Sequence, residues 1–239
     1  MGISSYNLPE ASAFLYTDDL KSCRITTEAY HHLFNVLRIK TGEKIILSDG
    51  DGNWRLCSIA NPTATKGLNL VALNTEVKVP QPENKVAVGF AITKPANSDT
   101  TVQKLTELRI RNIYPFISER TPIKVDPNTK EKLFDRFSKI SLSAGEQSRN
   151  PYLSKIHPIV HFAELTARFK DSAAILQPGY AKIDKLSLEG INILLIGPEG
   201  GFSQKELETV QCKFSLGGTI LRSETAAITV GAILTYLTG

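Results

Sequence analysis

Ile191-Asn192-Ile193-Leu194-Leu195-Ile196 runs directly into Gly197-Pro198-Glu199-Gly200-Gly201-Phe202-Ser203. A second turn follows, Leu216-Gly217-Gly218-Thr219-Ile220-Leu221-Arg222-Ser223-Glu224-Thr225-Ala226-Ala227. An apolar run that ends on glycine reads as a buried strand. It sets the turn at the C-terminal edge of a sheet, where open α/β folds bind ligands. Gly200 and Gly201 permit positive φ and a close approach of backbone to a ligand. Ser203 with Glu206 three residues on predicts a capping box at the start of a helix. The stretch lacks both the Gly-x-Gly-x-x-Gly fingerprint and a Gly-Lys-Ser/Thr phosphate loop, and Glu199 would repel a phosphate. The turn therefore suits ribose hydroxyls, amides or a cation, with a plain strand-to-helix connection as the structural alternative. In the second turn, Arg222 and Glu224 stand just before a helix that is apolar most of the way round, so helix and charges are expected to be buried. Buried ionisable groups are costly unless paired or functional. The two turns are expected to form one small-molecule pocket.

Working outward, 239 residues with 41% hydrophobic content allow one large domain or two modest ones with a real core. Val79-Pro80-Gln81-Pro82-Glu83-Asn84 is the best linker, since neither proline can extend a strand ladder. It separates residues 1–78 from residues 85–239. The first part holds strand-like runs at Ala13–Tyr16, Lys44–Ser48, Trp54–Ala60 and Leu68–Thr75, a hairpin turn at Ser48–Asn53, and one helix over Thr27–Arg38. It looks like a small β-barrel of a kind that often binds RNA. In the second part, strands at Lys85–Thr93, Arg111–Ile117, Ala173–Leu176, Ile191–Ile196 and Lys213–Ser215 alternate with helices. The helices are placed at Asp99–Leu108, Pro127–Ala144, Gln204–Val210 and Thr225–Leu237. That order predicts an α/β fold with a largely parallel sheet covered on both faces.

Charge is unevenly distributed. Residues 1–78 carry 8 Lys/Arg against 8 Asp/Glu, residues 94–158 carry 12 against 7, and residues 159–239 carry 7 against 8. Basic charge in the middle of the chain suggests a polyanion partner, with a solvated helix face as the alternative. Cys23, Cys57 and Cys212 form neither a disulfide framework nor a zinc pattern. His157 and His161 are four apart, but Pro158 breaks the helical spacing of a ligand pair, so no metal site is expected. No apolar run approaches a membrane span, and the start lacks a signal-like pattern, so a soluble cytoplasmic protein is expected.

Taken together, Ile196 to Ser203, Leu216-Gly217 and Ile220 to Ala226 resemble the signature of the bacterial rRNA uridine-N3 methyltransferases of the SPOUT class, the RsmE family. The resemblance extends through Val102 to Leu108, Glu119-Arg120 and Ala144 to Asn150. In the first part it includes His32, Val36-Leu37-Arg38 and Asp49-Gly50. It implies an N-terminal PUA-like RNA-binding β-barrel and a C-terminal SPOUT-type α/β domain with a deep trefoil knot. It also implies a homodimer acting on 16S rRNA or the assembled small ribosomal subunit. By resemblance, S-adenosyl-L-methionine would be held by Leu176, Gln177, Pro178, Leu195, Ile196, Gly197, Glu199, Gly200, Gly201, Leu216, Gly217, Ile220, Leu221, Arg222, Thr225 and Ala226. Departures from the family pattern fall at Pro95-Ala96-Asn97, at Thr219 and at Arg109. The last stands where the family usually has glycine, and a left-handed helix end there would be strained.

Methylation at uridine N3 requires loss of a weakly acidic N–H from an unpaired or extruded base. Arg222, stabilising the developing anion, and Glu224, taking the proton, are the expected catalytic pair. Arg38, Lys94, Lys104, Arg120 and Arg149 are the expected RNA phosphate contacts, with Glu107, Glu146 and Gln147 orienting them. Two alternatives are another acceptor on the same fold, such as a ribose 2′-OH or another base nitrogen, and a non-catalytic RNA-binding protein.

Overall fold

The computed structural model describes residues 8–26, 29, 31–61, 69–81, 85–185 and 188–238. The chain divides into two compact units, Met1–Gln81 with Gly145–Leu153, and Pro82–Ala144 with Ser154–Gly239.

The first unit is a five-stranded sheet of β1 (Ala13–Tyr16), β2 (Lys44–Ser48), β3 (Asn53–Asn61), β4 (Asn69–Ala72) and β5 (Val77–Lys78). The order is β1-β2-β3-β4, with β5 also on β3, and only the β1–β2 pair is parallel. Strand β2 is buried on both faces, because Ile45 and Leu47 join Leu15, Leu33 and Ile59 while Ile46 packs with Phe14 and Trp54. At the β2–β3 turn, Asp49 Oδ1 accepts from the N–H groups of Asp51 (2.7 Å) and Asn53 (3.1 Å), so the aspartate side chain closes the hairpin. The helix expected over Thr27–Arg38 falls partly on residues 27, 28 and 30, outside the described residues. In its described part residues 29 and 31 are α-helical and a π-helical turn follows at His32–Val36, and Thr26 Oγ1 caps Ala29 N–H at 3.2 Å. The returning segment Gly145–Leu153 is hydrogen-bonded into this unit: Tyr16 N–H donates to Glu146 Oε1 at 3.2 Å, and Tyr152 Oη donates to the Val79 carbonyl at 2.8 Å.

The second unit is a seven-stranded parallel sheet. Its strands are β6 (Ala87–Ala91), β7 (Asn112–Ile117), β8 (Lys155–Ile156), β9 (Val160–His161), β10 (Ala173–Leu176), β11 (Ile193–Ile196) and β12 (Cys212–Phe214). They lie in the order β12-β10-β11-β6-β7-β8, with β9 also on β7. Among the described residues five α-helices cover it: α1 (Pro95–Glu107), α2 (Pro127–Gln147), α3 (Phe162–Phe169), α4 (Gln204–Thr209) and α5 (Ser223–Thr238). The strand pleat sorts the core. Val88, Phe90, Leu194 and Ile196 pack with Val102, Leu105, Phe137, Val230 and Leu234 of α1, α2 and α5. Ala87, Ala91, Ile193 and Leu195 pack with Phe162, Leu165, Phe202 and Val210 on the other side. Each fully buried Leu or Ile in these layers contributes about 1.5–3 kcal/mol relative to exposure.

The sequence reading missed β8, β9 and α3. The two strands are two residues long, and α3 buries one short repeat (Phe162, Leu165, Thr166) behind a His161–Glu164 capping box. A more consequential correction concerns α5. Its buried residues, Ser223, Ala227, Val230, Gly231 and Leu234, make one face only, while Thr225, Ala232, Thr235 and Tyr236 are exposed. The exposed side is mixed, with Ala232 and Tyr236 among threonines and with Ile228 and Ile233 half-buried. Among the described residues, no helix is long and apolar enough to cross a membrane.

Candidate functional site

Three chain segments meet beyond the C-terminal ends of β10 and β11. The first is Gln177-Pro178, the second Gly197–Phe202, and the third Leu216–Leu221 leading into α5. Together they line a cavity of about 240 Å³, floored by Leu176, Ile196 and Ala226. The first and third segments are zipped by backbone bonds, from Gln177 N–H to the Phe214 carbonyl (2.8 Å) and from Ile183 N–H to the Ser215 carbonyl (3.0 Å). The second is held to the start of α5 by Ser223, whose Oγ donates to the Gly197 carbonyl at 2.8 Å. The two Gly-bearing turns, residues 197–203 and 216–227, thus share one cavity.

The Gly-rich turn is closed by Gly201 N–H donating to the Pro198 carbonyl at 2.8 Å, with Gly201 at φ +68°. At that angle an L side chain is strained against its own backbone by about 1–2 kcal/mol, a cost that glycine avoids. The predicted capping box is present: Glu206 N–H donates to Ser203 Oγ (3.1 Å), and Ser203 N–H donates to Glu206 Oε2 (2.9 Å). Glu199 is exposed, and its Oε1 accepts from Asn97 Nδ2 at 3.1 Å.

Most residues expected to hold a cofactor line this cavity, with three exceptions. Leu195 lies between Leu194 and Ile196 on β11, so the pleat turns it to the α3–α4 side, where it is fully buried. Arg222 and Thr225 are exposed and lie outside the lining. Four further residues, Pro198, Phe202, Thr219 and Ser223, also line it. All four lay within the quoted stretches, and only the fold shows which way each side chain faces.

The expected buried Arg222–Glu224 pair is corrected in part. Arg222 is exposed, Glu224 is half-buried, and among the described residues no ion pair joins them. Glu224 Oε2 is nonetheless shielded from solvent and has no hydrogen-bond partner in the chain. The five expected phosphate contacts are divided between the two units. Arg38 and Arg149 belong to the first unit, and Lys94, Lys104 and Arg120 to the second. Arg38 and Lys94 are exposed, and Arg149 donates to the Ala11 carbonyl. Lys104 is paired with Glu107 at 2.8 Å, the orienting role expected of that glutamate, and Arg120 Nη1 donates to the Gly200 carbonyl at 2.8 Å.

His157 is no ligand candidate. Its ring stacks on Tyr114 at 3.8 Å between centroids, its Nε2 faces Asn112 Oδ1 at 2.9 Å, and burial, with Lys155 and Arg168 nearby, holds its pKa down at about 4. Among the described residues no group of three His, Cys, Asp or Glu side chains could hold a metal.

The chemistry of the lining fits an adenosine-type ligand without phosphates. Apolar side chains can cover a base, backbone and amide groups from three segments can meet hydroxyls and an amino group, and among the described residues no Lys or Arg lines the cavity.

A parallel α/β unit with such a cavity at its strand ends matches a known class. Residues 80–235 match the family model of the RNA methyltransferase domain, and residues 25–68 match that of the RNA methyltransferase PUA domain. The chain is 29% identical over 232 residues, 90% of either chain, to the ribosomal RNA small subunit methyltransferase E of Bacillus subtilis. It is 30% identical over 155 residues to the protein of the same name from Mesomycoplasma hyopneumoniae, covering 62% of this chain and 68% of that one. The crystal structure of a ribosomal RNA small subunit methyltransferase E from Neisseria gonorrhoeae, bound to S-adenosyl methionine, superposes with a TM-score of 0.83. It is 25% identical, and the match covers 94% of this chain and 97% of that one. The chain belongs to the ribosomal RNA small subunit methyltransferase E family, and its second unit has the SPOUT-type α/β fold.

Proposed function

We propose that this protein transfers a methyl group from S-adenosylmethionine to N3 of a specific uridine in the 16S rRNA of the small ribosomal subunit, in the cytoplasm. The observation that carries the reading is the three-segment cavity, apolar at its floor and, among the described residues, free of lining cations, in a chain of this family. When bound there, S-adenosylmethionine supplies a sulfonium methyl that is electrophilic without further activation. The chain's task is to orient it, exclude water and prepare the acceptor nitrogen.

Arg222, exposed at the start of α5, is placed to stabilise negative charge on a uracil oxygen. Glu224 Oε2, which lacks a partner within the chain, is the proton acceptor. Leu195 supports the site from the core without touching ligand. Arg38, Lys94 and Arg149 hold RNA phosphates, and Lys104 and Arg120 add only the donors that their internal bonds leave. Residues 1–78, joined by the returning segment Gly145–Leu153, serve as the RNA-binding domain, and the rest of residues 85–239 as the methyl-transferring domain. The segments around the cavity are threaded as a trefoil knot, a reading supported by β10 lying between the later strands β11 and β12. The exposed side of α5, with Ala232 and Tyr236, supports a homodimer.

Calorimetry with S-adenosylhomocysteine tests the cofactor half. Binding is expected, and a nucleoside triphosphate at equal concentration should give no heat. Absence of any S-adenosylhomocysteine binding would leave only a non-catalytic RNA-binding protein.

A further inference from the structure

We propose that Glu206 is a positioning residue that holds the turn after β7 against the cofactor turn, and so seats Arg120 on the peptide between Gly200 and Gly201. This assignment rests on S-adenosylmethionine occupying the cavity described above.

Glu206 is 4% exposed, and its hydrogen-bond donors are neutral groups rather than a Lys or Arg. Its carboxylate accepts three hydrogen bonds. Ser203 N–H (2.9 Å) and Ser118 Oγ (3.1 Å) reach Oε2, and Glu119 N–H (3.0 Å) reaches Oε1. A capping box needs only the first of these and works on an exposed surface. The other two come from a segment 87 and 88 residues earlier in the chain. A buried carboxylate satisfied by charge-assisted bonds from two distant segments fixes them together tightly, because loss of either donor leaves the charge short of a partner.

The segment fixed in this way is a compact turn. Thr121 N–H donates to the Ser118 carbonyl (3.1 Å), and Ser118 N–H donates to Thr121 Oγ1 (2.9 Å). Arg120 at its tip reaches back to the cofactor turn, where Nη1 donates to the Gly200 carbonyl at 2.8 Å. The next N–H, that of Gly201, points the opposite way and donates to the Pro198 carbonyl at 2.8 Å. The Gly200–Gly201 peptide is therefore held at both ends. A peptide between two glycines otherwise flips at low cost, since neither residue has a Cβ to oppose it. Both glycines line the cavity, so a flip would exchange a carbonyl for an N–H along its wall. Glu206, the turn at 118–121, Arg120 and Gly200 close a ring of contacts that selects one orientation of that peptide.

The test is S-adenosylhomocysteine affinity, measured without RNA, for wild type, Arg120→Ala, Arg120→Lys, Glu206→Gln and the Arg120→Ala/Glu206→Gln double variant, together with the thermal midpoint of each. A glutamine at 206 must turn its NH2 towards at least one of the three donors, which releases the 118–121 turn. Each of Arg120→Ala and Glu206→Gln should weaken binding about tenfold, and the double variant no further, because both act through one peptide. Arg120→Lys, which retains a donor, should recover part of the loss. Arg120→Ala should leave the thermal midpoint unchanged, which separates a loosened wall from a loosened fold. Wild-type affinity in Arg120→Ala, or additive losses in the double variant, would overturn the proposal. Should Glu206→Gln fail to fold, Arg120→Ala and Arg120→Lys decide it alone. A wild type that binds no S-adenosylhomocysteine overturns the reading of the cavity itself. A wild type that binds it as tightly as Arg120→Ala overturns only the role of the clasp.

Discussion

Ser223 Oγ donates to the carbonyl oxygen of Gly197 at 2.8 Å, across 26 residues of chain. This bond ties the first residue of α5 to the first residue of the Gly-rich turn, and both residues line the cavity. It makes the cavity one structure rather than two adjacent loops.

Ser223→Ala should therefore cost about 1 kcal/mol of stability, the usual net worth of a buried hydroxyl bond with its acceptor left unmet. It should also weaken S-adenosylhomocysteine binding several-fold. Denaturant midpoints and calorimetry on the same preparation check both. An unchanged affinity would mean that the two turns hold their places without this link.

Arg109 sits at φ +61°, just past the end of α1. The sequence reading expected strain at this position, and the backbone adopts the left-handed geometry that a glycine would take without cost. Comparing Arg109→Gly with Arg109→Ala isolates the backbone effect, because both variants remove the side chain. The glycine variant should be more stable by about 1 kcal/mol. Equal unfolding midpoints would show that the left-handed conformation is not retained in solution.

His157 gives a pH dependence with a definite sign. Burial is the largest cause of its depression, followed by Lys155 and Arg168, and together they bring its pKa from the ordinary 6.5 to about 4. Between those values the unfolded chain binds more protons than the folded one, so acidification favours unfolding. This contribution to stability is complete above about pH 6.5 and is lost as the pH falls towards 4. His157→Gln should be less stable at neutral pH, since it gives up the stack on Tyr114. Its thermal midpoint should nevertheless fall less steeply than that of wild type between pH 6.5 and 4.5, taken as roughly the span of the shifted titration. Parallel midpoint curves would show that His157 is solvated.

The uncovered face of α5 carries the dimer proposal. Tyr236 is 86% exposed, and Ala232 is exposed one turn earlier on the same helix. Ala232→Glu and Tyr236→Asp should shift the protein from dimer to monomer in sedimentation velocity while leaving its circular dichroism unchanged. A protein that is monomeric before any substitution would refute the dimer.

Much of the second unit was legible because its strands are buried on both faces and read as apolar runs, as Ile193–Ile196 and Ala173–Leu176 do. The two-residue strands β8 and β9 carry too little pattern to be seen, and their existence depends on β7 being there to pair with. The residues of the cavity were mostly legible, but their orientation was not. Leu195 and Ile196 are adjacent and equally apolar, and only the pleat decides that Ile196 reaches the cavity while Leu195 enters the core. The exposure of Arg222 was also hidden, because an apolar helix following a charge reads as burial until the uncovered side of α5 is seen. Contacts such as that of Glu206 with Ser118 and Glu119 join residues far apart in the chain and leave no local signature.

Nucleoside mass spectrometry of 16S rRNA tests methyl transfer to uridine N3 most directly. Cells lacking this protein should lose 3-methyluridine from 16S rRNA. Wild-type protein should restore it, and Arg222→Ala should restore it at a rate lower by about 10²-fold or more. The same level of 3-methyluridine with and without the protein would contradict the account.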